Sequence, residues 1–100
     1  MKFVYTDEEI LEIIRRQPLP LTARRFIRIM NGRVKRDAAH RRLRKLANAG
    51  LLLSRKFYYT RQTGAITVFG TGDQMEKLDD IWEEEKGREG LARYEESWYL

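Results

Sequence analysis

The chain contains no cysteine and a single histidine, His40. The first absence excludes disulfides, thiol catalysis and cysteine-based zinc sites. The second leaves His40 without the partner ligands that a metal centre needs, so it reads as a surface or phosphate-contacting residue rather than a metal-binding or catalytic one. The only 2 prolines are Pro18 and Pro20, close enough together to break the chain once rather than to mark a linker. No apolar run approaches the roughly 20 residues of a membrane span. The opening MKFVYTDEEI turns acidic too early for a signal peptide, so a cytoplasmic protein with no membrane partner is expected. Neither internal repeats nor low-complexity tracts occur.

Acidic residues are scarce in one part of the chain and abundant in the other. Residues 1–72 hold 16 Lys and Arg against 5 Asp and Glu, whereas residues 73–100 hold 4 against 10. Such asymmetry suggests a polyanion-facing region, 1–72, followed by an extension with another role, 73–100. A merely uneven solubilising surface is the bland alternative. With 100 residues, 42% of them hydrophobic and 11% aromatic, there is material for one modest core.

Local signals divide the chain into elements. TDEEILEIIRRQP predicts a first helix. Thr6 and Glu9 have capping-box spacing, Tyr5 and Ile10 can form a hydrophobic staple, and Pro18 and Pro20 end the element. LTARRFIRIMNG predicts a short second helix with Thr22 as N-cap, Ala23, Phe26, Ile27 and Met30 inward, and Asn31-Gly32 as the stop. A third helix is expected over residues 35–48. Its apolar residues Ala39, Leu43, Leu46 and Ala47 fall at i, i+4, i+7 and i+8, one buried stripe, and Gly50 closes it. The period then changes to two. LLLSRKFYY and AITVFG predict a hairpin around TRQTG, with Phe57 and Tyr59 on one strand face and Tyr58 on the other. Beyond GTGDQ the pattern is helical again, weakened at Gly87 and Gly90.

The third helix carries the question of function. Lys35, Arg36, Arg41, Arg42, Arg44 and Lys45, with His40, are accompanied by one acid, Asp37. A solvated helix face normally mixes signs at i,i+4. A face of one sign repels itself, which is tolerable when a polyanion is the partner.

Helix, helix, basic helix ending in LANAGLL, then a hairpin with a basic tip: this order resembles the winged helix-turn-helix. The residues that carry the likeness are LTARRFIRIMNG, VKRDAAHRRLRKLANAGLLLSRKFYY and GAITVFG. They are similar to the winged-helix domains of MarR-type regulators and of plasmid- and phage-borne replication-relaxation proteins. The resemblance covers about residues 6–72 and implies an α+β fold, with three helices and a two- or three-stranded wing in a DNA-binding domain of residues 1–72. The helical extension over 73–100 is read from its own apolar spacing. The resemblance also implies double-stranded DNA as the partner. The third helix would present Lys35, Arg36, Asp37, His40, Arg41, Arg44 and Lys45, the second helix Arg24, Arg25 and Arg28, and the wing Arg55, Lys56 and Arg61. The implied activity is that of a sequence-preferring, nucleoid-associated DNA-binding protein acting as a small transcriptional regulator. The alternatives are an accessory factor for plasmid or phage replication or transfer, and a winged-helix protein adaptor.

Other patterns point to ordinary structure. Glu83, Glu84 and Glu85 are consecutive on a helix and therefore diverge, which does not make a carboxylate site. Gly70-x-Gly72 lacks the context of a nucleotide fingerprint. No enzyme, cofactor or small-molecule effector is expected. The apolar stripe Met75, Leu78, Ile81, Trp82, Leu91, Tyr94 and Trp98 leaves two readings: folding back on its own domain, or pairing two chains into a homodimer. The aromatic area involved favours the homodimer.

Overall fold

A computed structural model describes residues 5–58 and 64–99. Among them the order is α1 (Asp7–Arg15), β1 (Leu21–Thr22), α2 (Ala23–Ile29), α3 (Arg36–Asn48), β2 (Leu53–Tyr58), β3 (Ala65–Gly70), α4 (Gly72–Glu84), α5 (Gly87–Glu96) and a final 3-10 turn (Ser97–Tyr99). The result is a small α+β domain with five α-helices and a three-stranded antiparallel sheet of order β1-β3-β2.

The helix boundaries follow from the capping chemistry. Thr6 and Glu9 form the expected capping box on α1, and Thr22 accepts from the Arg25 amide at the start of α2. Both α2 and α3 end in paired reverse bonds that satisfy their last carbonyls. At α3 the Gly50 amide donates to Ala47 and the Leu51 amide to Leu46, each at 3.0 Å, with Gly50 at φ +77°. At α2 it is Asn31, at φ +56°, that takes the left-handed position. Asparagine tolerates it better than most residues because its short polar side chain bonds locally.

The sheet separates two cores by its two-residue period. On one side Phe69 packs with Ile10, Leu11 and Ile14 of α1, Phe26 of α2, and Ala39, Leu43 and Leu46 of α3. On the other, Val68 and Phe57 pack with Met75 and Leu78 of α4 and Tyr94 of α5. The pairings Ser54↔Phe69 and Lys56↔Thr67 share the α3 side, whereas Arg55↔Val68 and Phe57↔Ile66 share the α4 side. Tyr58 is accordingly exposed while Phe57 is buried.

The extension is part of this fold. Thr71 and Gln74 form a second capping box, and the Gln74 side chain, 4% exposed, donates to the carbonyls of Ile14 at 2.7 Å and Gln17 at 2.8 Å. Tyr94, 1% exposed, donates its hydroxyl to the Pro20 carbonyl at 2.5 Å. Burial pushes the Tyr94 phenol up to about 12. Gly90 lies inside α5, where a Cβ would collide with the Glu85 carbonyl and press on Trp82 at 3.2 Å, so its lack of a side chain lets α5 approach the end of α4. The step in charge near residue 72 is crossed by one of the two cores and by buried hydrogen bonds.

The side chains expected to pair two chains lie along the second core. Met75, Leu78 and Tyr94 are buried, and Ile81, Trp82, Leu91 and Trp98 are half-buried against the same cluster. Trp82 meets Phe57 with ring centroids 4.9 Å apart, and Trp98 meets Tyr94 edge-on at 6.1 Å. The physical reason is that a sheet has two faces. α1, α2 and α3 cover one, and Phe57 and Val68 on the other need a cover, which the tail supplies.

Candidate functional site

The buried stripe of α3, Ala39, Leu43 and Leu46, turns the opposite side of the helix to solvent. Lys35, Arg36, Asp37, Arg41, Arg44, Lys45 and Asn48 are exposed along it. Arg41 Nε reaches back only to the Asp37 carbonyl, at 3.4 Å. Asp37 stands in the first turn, where its charge suits the helix dipole. Among the described residues, none of Arg24, Lys35, Arg36, Arg41, Arg44 and Lys45 forms a salt bridge.

Two grooves flank α3 on the hairpin side. The first, of about 470 Å³, is lined by Thr22, Ala23, Arg24 and Ile27 of the β1–α2 segment, Arg36 and His40 of α3, and Ala65, Ile66 and Thr67 of β3. It exists because β1 is only two residues long and pairs β3 at Val68 and Phe69, so β3 runs on beyond it without a neighbour on that side. The second, of about 450 Å³, lies between Arg44, Ala47 and Asn48 of α3 and Ser54, Thr67 and Phe69 of the sheet. Thr67 borders both. Arg36, His40, Arg44 and Asn48 are spaced by four, so they form one line along α3 facing the hairpin. The two grooves thus make a single trough, with cationic and amide groups on one wall and hydroxyl-bearing strands on the other.

Three sequence-predicted cations are engaged elsewhere. Arg25 is buried and pairs with Glu95 of α5 at 2.8 Å, its guanidinium 4.9 Å from the centre of the Trp98 ring. Arg55 pairs with Asp79 of α4, because strand parity puts it on the tail side of the hairpin. Lys56, one residue on, points to the α3 side, with its ammonium 5.7 Å from the Tyr58 ring centre. Arg42, counted among the cations of α3, braces the N-terminal segment instead. Its Nε donates to Asp7 Oδ1 at 2.6 Å and its Nη2 to the Tyr5 carbonyl at 3.0 Å. Arg24 and Arg28 are exposed on α2. Arg61 and Tyr59, with the rest of the hairpin tip, lie outside the described residues.

Sequence reasoning missed the wall formed by Ala65, Ile66 and Thr67, and it missed Glu95. The first follows from the shortness of β1, which propensity does not reveal. The second is one carboxylate among the many of the tail. Among the described residues no group of three or more acidic or histidine side chains is placed to hold a metal, and no helix is long and apolar enough to cross a membrane. No protein family, curated protein or solved structure matches the chain.

Proposed function

We propose that the chain is a winged helix-turn-helix protein that binds double-stranded DNA with sequence preference, in the role of a small transcriptional regulator. The order α1-β1-α2-α3-β2-β3 and the sheet order β1-β3-β2 fit that architecture, with α3 as the helix that enters the major groove. One observation carries the reading. The acids of the tail neutralise Arg25 and Arg55, and Asp7 neutralises Arg42, yet among the described residues Arg36, Arg41, Arg44 and Lys45 of α3 have no carboxylate partner. A chain with 15 acidic residues has enough to balance that surface, and Asp37 is the only one of them on α3.

Arg41, and Arg44 at the edge of the trough, are exposed on α3, where a guanidinium reaches guanine edges. Arg24 and Arg28 on α2, Arg36 and His40 at the trough, and Lys56 on the hairpin flank them as phosphate contacts. A role in plasmid or phage replication or transfer would use the same surface, so the DNA sequence selected from a random library separates the two. A protein adaptor is disfavoured because lysine and unpaired charge are depleted at the core of protein interfaces.

Fluorescence anisotropy with random duplex over a salt series tests the proposal. With about 6 phosphates neutralised, the logarithm of the binding constant is expected to fall against the logarithm of salt with a slope near −5. A slope near zero, or no binding at low salt, refutes it.

A further inference from the structure

Behind the exposed surface of α2 lies a smaller recess, of about 140 Å³, lined by Thr22, Arg24, Arg25, Arg28 and Glu95. At roughly 30 Å³ of liquid volume per water, it has room for about four or five waters. That is the scale of a phosphate group with part of its hydration. Arg24, Arg25 and Arg28 line it, a concentration of donors suited to a bidentate oxyanion.

An anion of the chain itself stands at this recess. Glu95 Oε2 accepts from Arg25 Nη2 at 2.8 Å. The two partners are held very differently. The Arg25 side chain is 10% exposed and rests on Trp98, with 4.9 Å from guanidinium carbon to ring centre. Its backbone amide is tied to Thr22 Oγ1 at 3.1 Å. The Glu95 side chain is 52% exposed and lies near the end of α5. The guanidinium is fixed by packing. The carboxylate can swing into water with little loss besides the ion pair.

We infer that the recess is a seat for one backbone phosphodiester of duplex DNA, and that the Glu95 carboxylate at its wall holds Arg25 in the free chain as an internal competitor. The inference rests on the DNA-binding function proposed above. Phosphate entry proceeds by exchange: Glu95 leaves Arg25, rotates into solvent, and the phosphate oxygens take its place against Arg25, Arg24 and Arg28. Trp98 keeps the Arg25 guanidinium aimed at the recess in both states. Every complex that uses this contact is weakened by the exchange, so binding stays answerable to salt and to the contacts made by α3. The position of the acid is also explained: α5 carries it to α2, on the cationic side of the molecule, where a carboxylate would otherwise oppose a polyanion without return.

The test is duplex binding by Glu95→Gln over the same salt series. Glutamine keeps the shape and a hydrogen-bonding oxygen for Arg25 but not the charge. Affinity at low salt is expected to rise about tenfold with the log–log slope nearly unchanged, because the same phosphate is neutralised in both proteins and only the displaced acid is lost. If the unaltered chain binds and the variant matches it in affinity, the competitor is refuted. If the unaltered chain does not bind at all, it is the DNA-binding reading that fails. The double variant Arg25→Met with Glu95→Gln removes both charges of the pair, and the gain should vanish. A gain that persists without Arg25 reflects net charge alone and overturns the assignment of the recess. A measurement on the unaltered chain covers the case in which the variants lose stability. The indole N–H resonance of Trp98 is expected to shift as duplex is added and Arg25 changes partner, and a resonance unmoved at saturation overturns the exchange.

Discussion

Removing residues 73–100 is expected to unfold what remains. The excised segment supplies Met75, Leu78 and Tyr94 to the cluster under the hairpin, each with 1% exposure or less. At about 1.5–3 kcal/mol per fully buried side chain, their loss alone removes roughly 5–9 kcal/mol. Leu19, Phe57 and Val68 lose their cover at the same time. Gln74 leaves as well, and with it the amide that donates to the Gln17 carbonyl and to the Ile14 carbonyl, which keeps the Gln17 N–H at 3.1 Å. A buried acceptor without a donor costs about 1–3 kcal/mol. Domains of this size have about 5–15 kcal/mol in total, so the truncated chain has little or nothing left. Far-UV circular dichroism through a urea titration reads the outcome. Tryptophan fluorescence cannot, since Trp82 and Trp98 are both removed. A cooperative transition in the truncated chain, with a midpoint within about 1 M urea of the intact protein, would refute the reasoning. Gln74→Leu isolates the polar part: it is expected to cost about 1–3 kcal/mol while keeping apolar volume, and a loss under about 1 kcal/mol would show that the Gln17 carbonyl finds another donor.

Arg41→Ala and Arg44→Ala are each expected to cost about 1–3 kcal/mol on a preferred duplex and much less on random sequence, whereas Lys56→Ala should weaken both alike. Equal losses on every sequence would mean that α3 does not read bases. The Tyr94 phenol, pushed up to about 12 by burial, keeps its proton in the folded chain after the unfolded chain has begun to lose it near 10. Its contribution is therefore fully present below pH 10 and lost as pH rises from 10 to 12, about 2.7 kcal/mol for two units. Tyr94→Phe should lower stability by about 1–3 kcal/mol at neutral pH, through the unpaired Pro20 carbonyl, and flatten the decline above pH 10. Denaturant midpoints of the two proteins at pH 8, 10 and 11 check both statements, and parallel declines would refute the second.

What lay within a few residues was legible in the sequence. The capping box of Thr6 and Glu9, the Thr22 cap, the Gly50 terminus of α3 and the hairpin strands joined across residues 59–64 rest on interactions no longer than one helical turn or one strand pairing. The buried stripe of α3, and with it the outward side holding Arg41 and Arg44, followed from helical period alone. The fate of individual cations did not. Arg25, Arg42 and Arg55 find carboxylates 70, 35 and 24 residues away in the chain, and no local spacing encodes such partners. Strand parity sends Arg55 to one side of the sheet and Lys56 to the other, but only the packed helices say which side meets α3 and which meets the acidic tail. The change of charge near residue 72 looked like a boundary because composition is blind to the sheet's second face. Phe57 and Val68 open that face to whatever apolar surface is nearest, and a tail tethered to the end of β3 reaches it at far higher effective concentration than a second chain can.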